Sequence, residues 1–200
     1  MIGKQKNFQL LAKIHNIPLE EAEIIRLEIG NRLGPGSRYQ VIDLLAIGSL
    51  RLVYFVKDYE ANGDLMALKM LLPYFFLESE ELLEDFIDNL AVLQEIDHKN
   101  ILKIFDFWKQ NTLYFYTMKY VNGCSLEEWI KKQPNRISLS DACRIIIQIC
   151  EGVLCLHDYS GHYLLHPGNI LLANNDISSI KITDFGLQHL MPKKVWLRAG

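Results

Sequence analysis

Short runs of aromatic and branched residues in the middle of the chain predict β-strands. Three such runs, over 39–46, 52–58 and 65–71, are each long enough for one strand. Asn62 and Gly63 stand between the last two runs, and this pair favours the left-handed backbone of a tight hairpin turn. Four further strands are predicted over 101–108, 112–120, 170–172 and 180–183. The last two of these form a small hairpin of their own.

Apolar residues at helical spacing predict three helices among these strands. A helix over 79–95 would bury one face and carry acidic residues at its start, where the helix dipole favours them. That buried face consists of Leu83, Phe86, Leu90 and Leu93. Ser125 is placed to cap a short second helix, and Ser140 and Asp141 to open a longer apolar helix that ends near His157.

The first 33 residues are also predicted to be helical. Pro18 suits a first helical turn, and Asn16 is a candidate cap. One apolar stripe follows, made of Ala22, Ile25, Ile29 and Leu33, and Gly34-Pro35-Gly36 would end the segment sharply. Two interpretations are open for this segment: a helix that packs on the following domain, or a docking helix for a partner.

Composition and charge narrow the class of protein. Lys plus Arg total 21 against 24 for Asp plus Glu, a net charge of −3, so nucleic acid is not an expected partner. We expect no membrane span and no signal peptide, because no uncharged apolar run approaches the roughly 20 residues needed to cross a bilayer. The four cysteines lack the C-x-x-C spacing of a metal site, so we expect reduced, buried thiols in a cytoplasmic protein.

Two motifs near the C-terminal end carry the strongest chemical signal. The segment His162-Tyr163-Leu164-Leu165-His166-Pro167-Gly168-Asn169 is followed fifteen residues later by Asp184-Phe185-Gly186. The pair resembles the H-R-D-x-x-x-x-N catalytic loop and the metal-binding D-F-G of the protein kinase family, of the Ser/Thr type. The resemblance covers about residues 39 to 190.

The resemblance implies an α+β, protein kinase-like fold. We expect a five-stranded antiparallel small lobe over 37–121, a partial and mainly helical large lobe over 122–200, and an N-terminal helical extension over 1–36. No A-P-E motif follows Gly186, so we expect either a form truncated after D-F-G or an unusually short homologue. The helix over 140–157 would then expose apolar residues, including some of Ile145, Ile146, Ile147 and Ile149, and we expect a homodimer or a protein partner.

The same resemblance assigns the residues that handle phosphate and metal. Leu164 stands where the family has the aspartate that takes the substrate's hydroxyl proton, and leucine cannot accept a proton. His166 stands in place of the loop lysine. Asn169 and Asp184 match the two residues that hold Mg²⁺. Of the Gly-rich loop over 46–53, only Gly48 matches a family glycine.

Lys69 matches the family's phosphate-contacting lysine, within Ala67-Leu68-Lys69. Its glutamate partner is missing, since the count back from His98 reaches Asn89; Asp85, one turn earlier, is an imperfect substitute.

The adenine pocket is assigned to apolar side chains and to the chain segment that links the lobes. Met118 would gate the back of the pocket, the backbone from Lys119 to Val121 would read adenine, and apolar residues would enclose the base. The enclosing residues are Val53, Ala67 and Leu171, and a column linking the lobes would consist of Leu93, Ile104, His162 and Phe185. Burial in an ordinary core explains both sets equally well.

Three functional hypotheses follow. The first is a pseudokinase, a non-catalytic module that binds ATP with Mg²⁺ and acts as a scaffold or regulator. The second is an atypical Ser/Thr kinase with weak phosphoryl transfer, because the loss of a general base typically costs 10²–10⁴-fold in rate. The third is a decayed fragment that neither binds nucleotide nor folds stably alone.

Overall fold

The computed structural model describes residues 27–47, 51–71, 80–159 and 165–185. Its strands are β1 Arg32–Leu33, β2 Tyr39–Ile47, β3 Arg51–Asp58, β4 Leu65–Leu71, β5 Ile104–Gln110, β6 Leu113–Lys119, β7 Gly123–Ser125, β8 Ile170–Ala173 and β9 Ile180–Ile182. Its helices are α1 Glu80–Gln94, α2 Leu126–Lys132 and α3 Leu139–His157, and short 3-10 turns lie at Pro35–Ser37 and Pro167–Asn169. These residues form two compact units, one made of the part up to Pro73 with Phe107–Thr117, the other of Tyr74–Asp106 with the part from Met118 onward.

The first unit is built on a sheet with the strand order β1-β2-β3-β4-β6-β5, in which β1 to β4 pair antiparallel. The strand prediction is confirmed, and the turn at Asn62 and Gly63 has the expected positive φ angles of 52° and 85°. The predicted five strands gain a sixth, β1, which pairs Arg32 with Gln40 and Leu33 with Tyr39.

The N-terminal helix prediction is wrong for its last residues. Ile29 lies in a turn. Leu33 lies in β1, where it is buried in the core with 3% of its surface exposed. The rest of that predicted helix, with Ala22 and Ile25, lies outside the described residues. Gly34 then reverses the chain with φ 84°, and a Cβ there would lie 2.8 Å from the ring of Tyr39, so only glycine fits.

Alternation along β3 builds the core of the first unit. Leu52, Tyr54 and Val56 point to one face and are buried, opposite Leu68 and Met70 of β4, which have no exposed surface. An aromatic stack extends this core: the rings of Tyr39 and Trp108 lie 5.1 Å apart and those of Trp108 and Phe115 5.5 Å apart.

A buried ion pair fixes the start of the β3–β4 connection. Asp58 is fully buried, and its two carboxylate oxygens accept hydrogen bonds from Arg38 Nε at 2.7 Å and Arg38 Nη2 at 2.6 Å. Oδ1 also accepts from the backbone N–H groups of Glu60 and Ala61. Burial raises the pKa of Asp58, but the hydrogen bonds from Arg38, Glu60 and Ala61 together outweigh it and leave the pKa below its usual value.

The second unit joins helices to the small sheet β7-β8-β9. The α1 prediction is confirmed in extent, and Leu90 and Leu93 are buried as expected; the side chains of Leu83 and Phe86 lie outside the described set. Ser125 caps α2 with a reciprocal capping box to Glu128, as predicted. The predicted start of α3 at Ser140 is two residues late: Ser138 caps the helix, and its hydroxyl accepts a hydrogen bond from the N–H of Asp141 at 3.0 Å.

The segment before β5 is bound to β9 by backbone hydrogen bonds. Leu102 N–H donates to the oxygen of Ile182 at 2.9 Å, and Ile182 N–H donates to the oxygen of Asn100 at 2.8 Å. The Asn100 side chain donates to the Ile180 carbonyl at 3.1 Å. Gly152 of α3 packs here, because a Cβ at this position would lie 2.7 Å from Ile182.

Two further expectations can be compared with the structure. The cysteines are free thiols as predicted, but they are not buried: Cys143 and Cys150 are exposed and Cys124 and Cys155 half-buried. The predicted apolar exposure of α3 is confirmed at Ile146 and Ile147, whereas Ile145 and Ile149 are buried. No helix in the described ranges is long and apolar enough to cross a membrane.

Candidate functional site

The first unit brings three predicted site residues onto one face of its sheet. Val53 of β3 lies directly opposite Lys69 of β4, and Phe55 lies opposite Ala67. Opposed residues in an antiparallel pair project to the same side, and residues two apart in a strand share a face. Val53, Ala67 and Lys69 therefore form one contiguous surface, in which a small side chain adjoins a lysine.

Lys69 is an unusual lysine because it is buried, with an exposed fraction of 4%. Its ammonium nitrogen lies 5.8 Å from the ring centroid of Tyr116, within range of a cation–π contact. Burying an ammonium group costs free energy unless neighbouring groups compensate it, and the ring of Tyr116 is one such group. The side chains of Asn89 and Asp85 lie outside the described set, and Asp88 is exposed on α1.

The segment assigned to the Gly-rich loop joins two paired strands. Ala46 pairs with Val53 and Ile47 with Leu52, so residues 48–50 connect β2 to β3. Gly48 itself lies outside the described residues. Val53, which pairs with Ala46, is thus the first residue of β3 that belongs to the surface with Lys69.

In the second unit, Asn169 and Asp184 flank one hairpin. Asn169 ends the 3-10 turn that leads into β8, and Asp184 follows β9 by two residues. Thr183, beside Asp184, donates its N–H to the Asn169 carbonyl at 2.9 Å. The hairpin β8–β9 thus holds the two predicted metal ligands on adjoining chain segments, and both are buried at 4% exposure.

Asp184 has a left-handed backbone, with φ 64°. Such a conformation is uncommon outside glycine, and aspartate and asparagine tolerate it better than most residues. Positive φ values at non-glycine residues cluster at functional sites, where the surrounding structure fixes them. The backbone of Asp184 is therefore held in an uncommon conformation by the structure around it.

His166 has a structural role that the motif did not predict. Its Nδ1 accepts a hydrogen bond from Gly168 N–H at 3.1 Å, which caps the turn that carries Asn169. The ring also lies close to Glu127: hydrogen bonding and charge attraction from Lys131 lower the pKa of Glu127, with a smaller contribution from His166. Residues 160–164, which include His162 and Leu164, lie outside the described part of the chain.

The predicted hinge residues differ in their surroundings. Met118 is buried at 3%, and its sulfur accepts a hydrogen bond from Thr183 Oγ1 at 3.7 Å. Lys119 is exposed, and its N–H donates to the Lys103 carbonyl at 3.2 Å, so this group is already used within the protein. Val121 is half-buried.

Leu171 is half-buried in β8, directly opposite Lys181 of β9. Burial lowers the pKa of Lys181, and the positive charge of Lys119 lowers it further, against a smaller opposite effect from Asp97. The Lys181 ammonium group donates to the Lys99 carbonyl. The nearest strand neighbour of Leu171 on β9 is therefore a lysine whose pKa is lowered.

The donor atoms of the second unit suit magnesium rather than a transition metal. An amide oxygen from Asn169 and a carboxylate from Asp184 are hard oxygen donors, which Mg²⁺ prefers. Within the described residues, no group of three or more His, Cys, Asp or Glu side chains could hold a metal ion. A cation here would need phosphate and water oxygens to complete its shell, as Mg²⁺ commonly does.

Thr183 is the site residue that sequence reasoning missed. It binds Asn169 through its N–H and Met118 through its hydroxyl, so it links a predicted metal ligand to the predicted gate. The only sequence signal was its place directly before Asp184 in a short apolar strand. The predicted column residues Leu93, Ile104 and Phe185 are all buried, as both of their interpretations require.

Comparisons with known proteins identify the family. The family model described as "Protein kinase domain" matches residues 39–198. Human myosin light chain kinase family member 4 is 31% identical over 128 residues, which cover 64% of this chain and 32% of that protein. Serine/threonine-protein kinase PrkC of Bacillus subtilis is 28% identical over 160 residues, which cover 80% of this chain and 24% of that protein.

The fold has a solved counterpart in the PknI kinase domain of Mycobacterium tuberculosis. The two superpose with a TM-score of 0.70 at 22% identity, over 81% of this chain and 63% of that one. This chain spans about a quarter to a third of the curated relatives that it matches. The family match covers most of the chain, including the segments on both sides of the β8–β9 hairpin. Because of this match, the chain belongs to the protein kinase domain family.

Proposed function

We propose that this chain is a pseudokinase-type module, which binds a nucleotide with Mg²⁺ and does not transfer phosphate efficiently. The observation that carries the proposal is Leu164, which stands where the family has its proton-accepting aspartate. A leucine side chain has no lone pair with which to orient or deprotonate a hydroxyl group. General-base assistance typically contributes 10²–10⁴-fold to a rate, so this loss alone is large.

Two further replacements weaken transfer in the same direction. Asn89 supplies no charge at the position of the glutamate that pairs with the family's strand lysine. His166 replaces the loop lysine, and its Nδ1 already accepts the Gly168 N–H that caps the turn. Neither residue supplies the fixed positive charge or ion pair on which phosphoryl transfer depends.

Nucleotide binding is supported by the residues that remain. Lys69 is buried beside Val53 and Ala67, which gives one face a cation next to apolar surface suited to a phosphate tail and a base. Asn169 and Asp184 offer hard oxygen donors on adjoining segments for Mg²⁺. When bound, the metal would neutralise phosphate charge, while this chain's residues would orient the nucleotide.

Thermal unfolding tests the binding part of this proposal. Because a ligand that binds only the folded state stabilises it, ATP with Mg²⁺ at 100 times its Kd should add about 3 kcal/mol. For a chain of this size that corresponds to a rise of about 5–10 °C in Tm. ATP without Mg²⁺ should give a smaller rise. Equal melting with and without nucleotide would contradict the proposal and favour an inert fragment.

Asp184→Asn is the matched variant for this experiment. Asparagine keeps the size of the side chain and tolerates the left-handed backbone at φ 64°, but removes the charge. We expect it to unfold close to wild type in the absence of nucleotide and to lose most of the additional stabilisation by Mg²⁺. A rise in Tm equal to that of wild type would show that the metal is held elsewhere.

The alternative is an atypical Ser/Thr kinase with weak transfer. The retained Asp184-Phe185-Gly186 favours it, because phosphoryl transfer depends mainly on positioning and electrostatics. Transfer of labelled phosphate to the chain itself or to generic substrates separates the two functions. A scaffolding or regulatory role and a cytoplasmic location stay predictions.

A further inference from the structure

Helix α3 has an apolar stripe on the side that faces away from its own unit. The residues of this stripe are Leu139, Cys143, Ile146, Ile147, Cys150 and Leu154, all of them exposed. Leu139 is 81% exposed and Leu154 68%, whereas Ile145, Ile149 and Leu156 on the opposite side are buried. At 3.6 residues per turn, the stripe occupies an arc of about 100°, the width of a face that packs on another element.

The stripe reads the same in both directions. Around the midpoint between Ile146 and Ile147, equal numbers of residues separate Cys143 from Cys150 and Leu139 from Leu154. Each pair consists of two residues of the same type. A two-fold symmetric interface needs a self-complementary surface, in which residue i meets residue j and j meets i. Two antiparallel copies of α3 satisfy that condition along their whole length.

The charges beside the stripe fit the same arrangement. Arg144 and Glu151 both lie on one edge of it, on opposite sides of the midpoint, with Arg144 two residues nearer to it. Within one chain Arg144 pairs with Asp141 at 3.7 Å and Glu151 with Lys99 at 2.9 Å, and all four side chains are partly exposed. Antiparallel pairing about a two-fold axis keeps that edge on the same side in both copies, so Arg144 would lie beside the partner's Glu151. This gives two pairs of opposite charge.

We propose that this stripe is the interface of a symmetric homodimer, in which two α3 helices pack antiparallel with Cys143 against the partner's Cys150. The proposal concerns a surface that the proposed nucleotide function does not use. It stands or falls independently of nucleotide binding.

The size of the surface sets the expected affinity. A helix of 19 residues is about 28 Å long and about 10 Å wide, so its face alone would bury about 300 Å² per copy. Stable dimers bury about 800 Å² per partner. An apolar groove of about 360 Å³ adjoins Ile146 and extends the patch with Ile130 and Leu165, which are 41% and 44% exposed. We therefore expect a reversible dimer with a Kd on the order of micromolar.

Mass measurement in solution tests the interface. At about 100 µM the wild-type chain should be mainly dimeric, and dilution to well below the Kd should give monomer. Ile147→Glu places a charge at the centre of the stripe and should leave a monomer at every concentration. Val92→Glu is the matched control: Val92 is exposed on α1, outside the stripe, and this variant should dimerise like wild type. A monomeric wild type, or a dimer unaffected by Ile147→Glu, would overturn the proposal.

Disulfide formation tests the antiparallel register. Within one chain Cys143 and Cys150 are seven residues apart on a helix, so their Cα atoms are about 10.5 Å apart. A disulfide needs Cα atoms about 4.4–6.8 Å apart, so the two cysteines of one chain cannot form one. Diamide oxidises two thiols to a disulfide and takes up their hydrogen atoms. With Cys124 and Cys155 replaced by serine, diamide should therefore link Cys143 of one copy to Cys150 of the other.

The single-cysteine variants give the decisive comparison. In that background, Cys143→Ser alone and Cys150→Ser alone should give little covalent dimer, because neither remaining thiol faces its own symmetry mate. A mixture of the two variants should form covalent dimer readily, because Cys143 of one copy can then face Cys150 of the other. Both are changes of one atom at exposed positions, and their melting curves should match that of the background. Covalent dimer from each variant alone, with none gained on mixing, would overturn the antiparallel arrangement.

Discussion

The ion pair of Asp58 with Arg38 makes the stability of the first unit depend on pH. Because the pKa of Asp58 is lower in the folded than in the unfolded protein, folding favours its charged form. This contribution is complete above the unfolded pKa near 4 and is lost as the pH falls through the folded pKa. Asp58→Asn should cost about 3 kcal/mol at neutral pH, because it leaves Arg38 without its bidentate partner.

Urea denaturation at neutral pH and in the acid range measures both effects of that substitution. Wild type should lose stability below pH 4 more steeply than Asp58→Asn, so the difference between them should shrink as the pH falls. Asp64→Asn, a change in the same β3–β4 connection away from the ion pair, is the control. Parallel pH profiles for wild type and Asp58→Asn would contradict this account of the ion pair.

At two glycines, the contacts of an added Cβ predict how much folding stability an alanine substitution would cost. At Gly123 a Cβ would lie 1.9 Å from the backbone oxygen of Leu172, so the β7–β8 pair would have to separate. At Gly152 the nearest atom, 2.7 Å away, is the end of the Ile182 side chain, which can move, and alanine improves helix propensity.

Gly123→Ala should therefore cost at least about 3 kcal/mol, and Gly152→Ala clearly less. Chemical denaturation of the two variants beside wild type checks this order. A larger loss for Gly152→Ala would mean that the packing of α3 on β9 is tighter than the pairing of β7 with β8.

At the scale of elements, long segments with clear periodicity could be predicted from the sequence, and short ones could not. The bounds of β4 match the prediction, and α1 differs by one residue at each end. β1 and β7, with two and three residues, are too short to show alternation, and only their pairing partners make them strands. The same tertiary pairing explains why Leu33, at helical spacing from Ile29, joins the sheet.

Two serines near the start of α3, Ser138 and Ser140, have different roles that the sequence did not distinguish. Ser138 accepts the N–H of Asp141 and donates to its carboxylate at 2.8 Å, whereas Ser140 lies inside the helix. Ser138→Ala should cost about 1 kcal/mol. Ser140→Ala is the matched control and should change the stability by less than about 0.5 kcal/mol. Thermal or urea unfolding measures both, and equal losses would contradict the assignment of the cap.

At the scale of the whole molecule, motifs identified the site residues but not their geometry. The sequence pointed to Lys69, Asn169 and Asp184 through spacing alone. It could not show that Lys69 is buried, that Asp184 has a left-handed backbone, or that Thr183 joins Asn169 to Met118. These features depend on strand register and on contacts between residues far apart in sequence, which local patterns do not encode.

The central claim is that the chain has the fold of a kinase without efficient phosphoryl transfer. The most direct test is the transfer of labelled γ-phosphate from ATP and Mg²⁺ by the full chain, to itself and to generic protein substrates. The account predicts incorporation no greater than that of Asp184→Asn, which removes the metal-facing charge. Robust, Mg²⁺-dependent incorporation that Asp184→Asn abolishes would contradict it, and would show that Leu164 does not prevent catalysis.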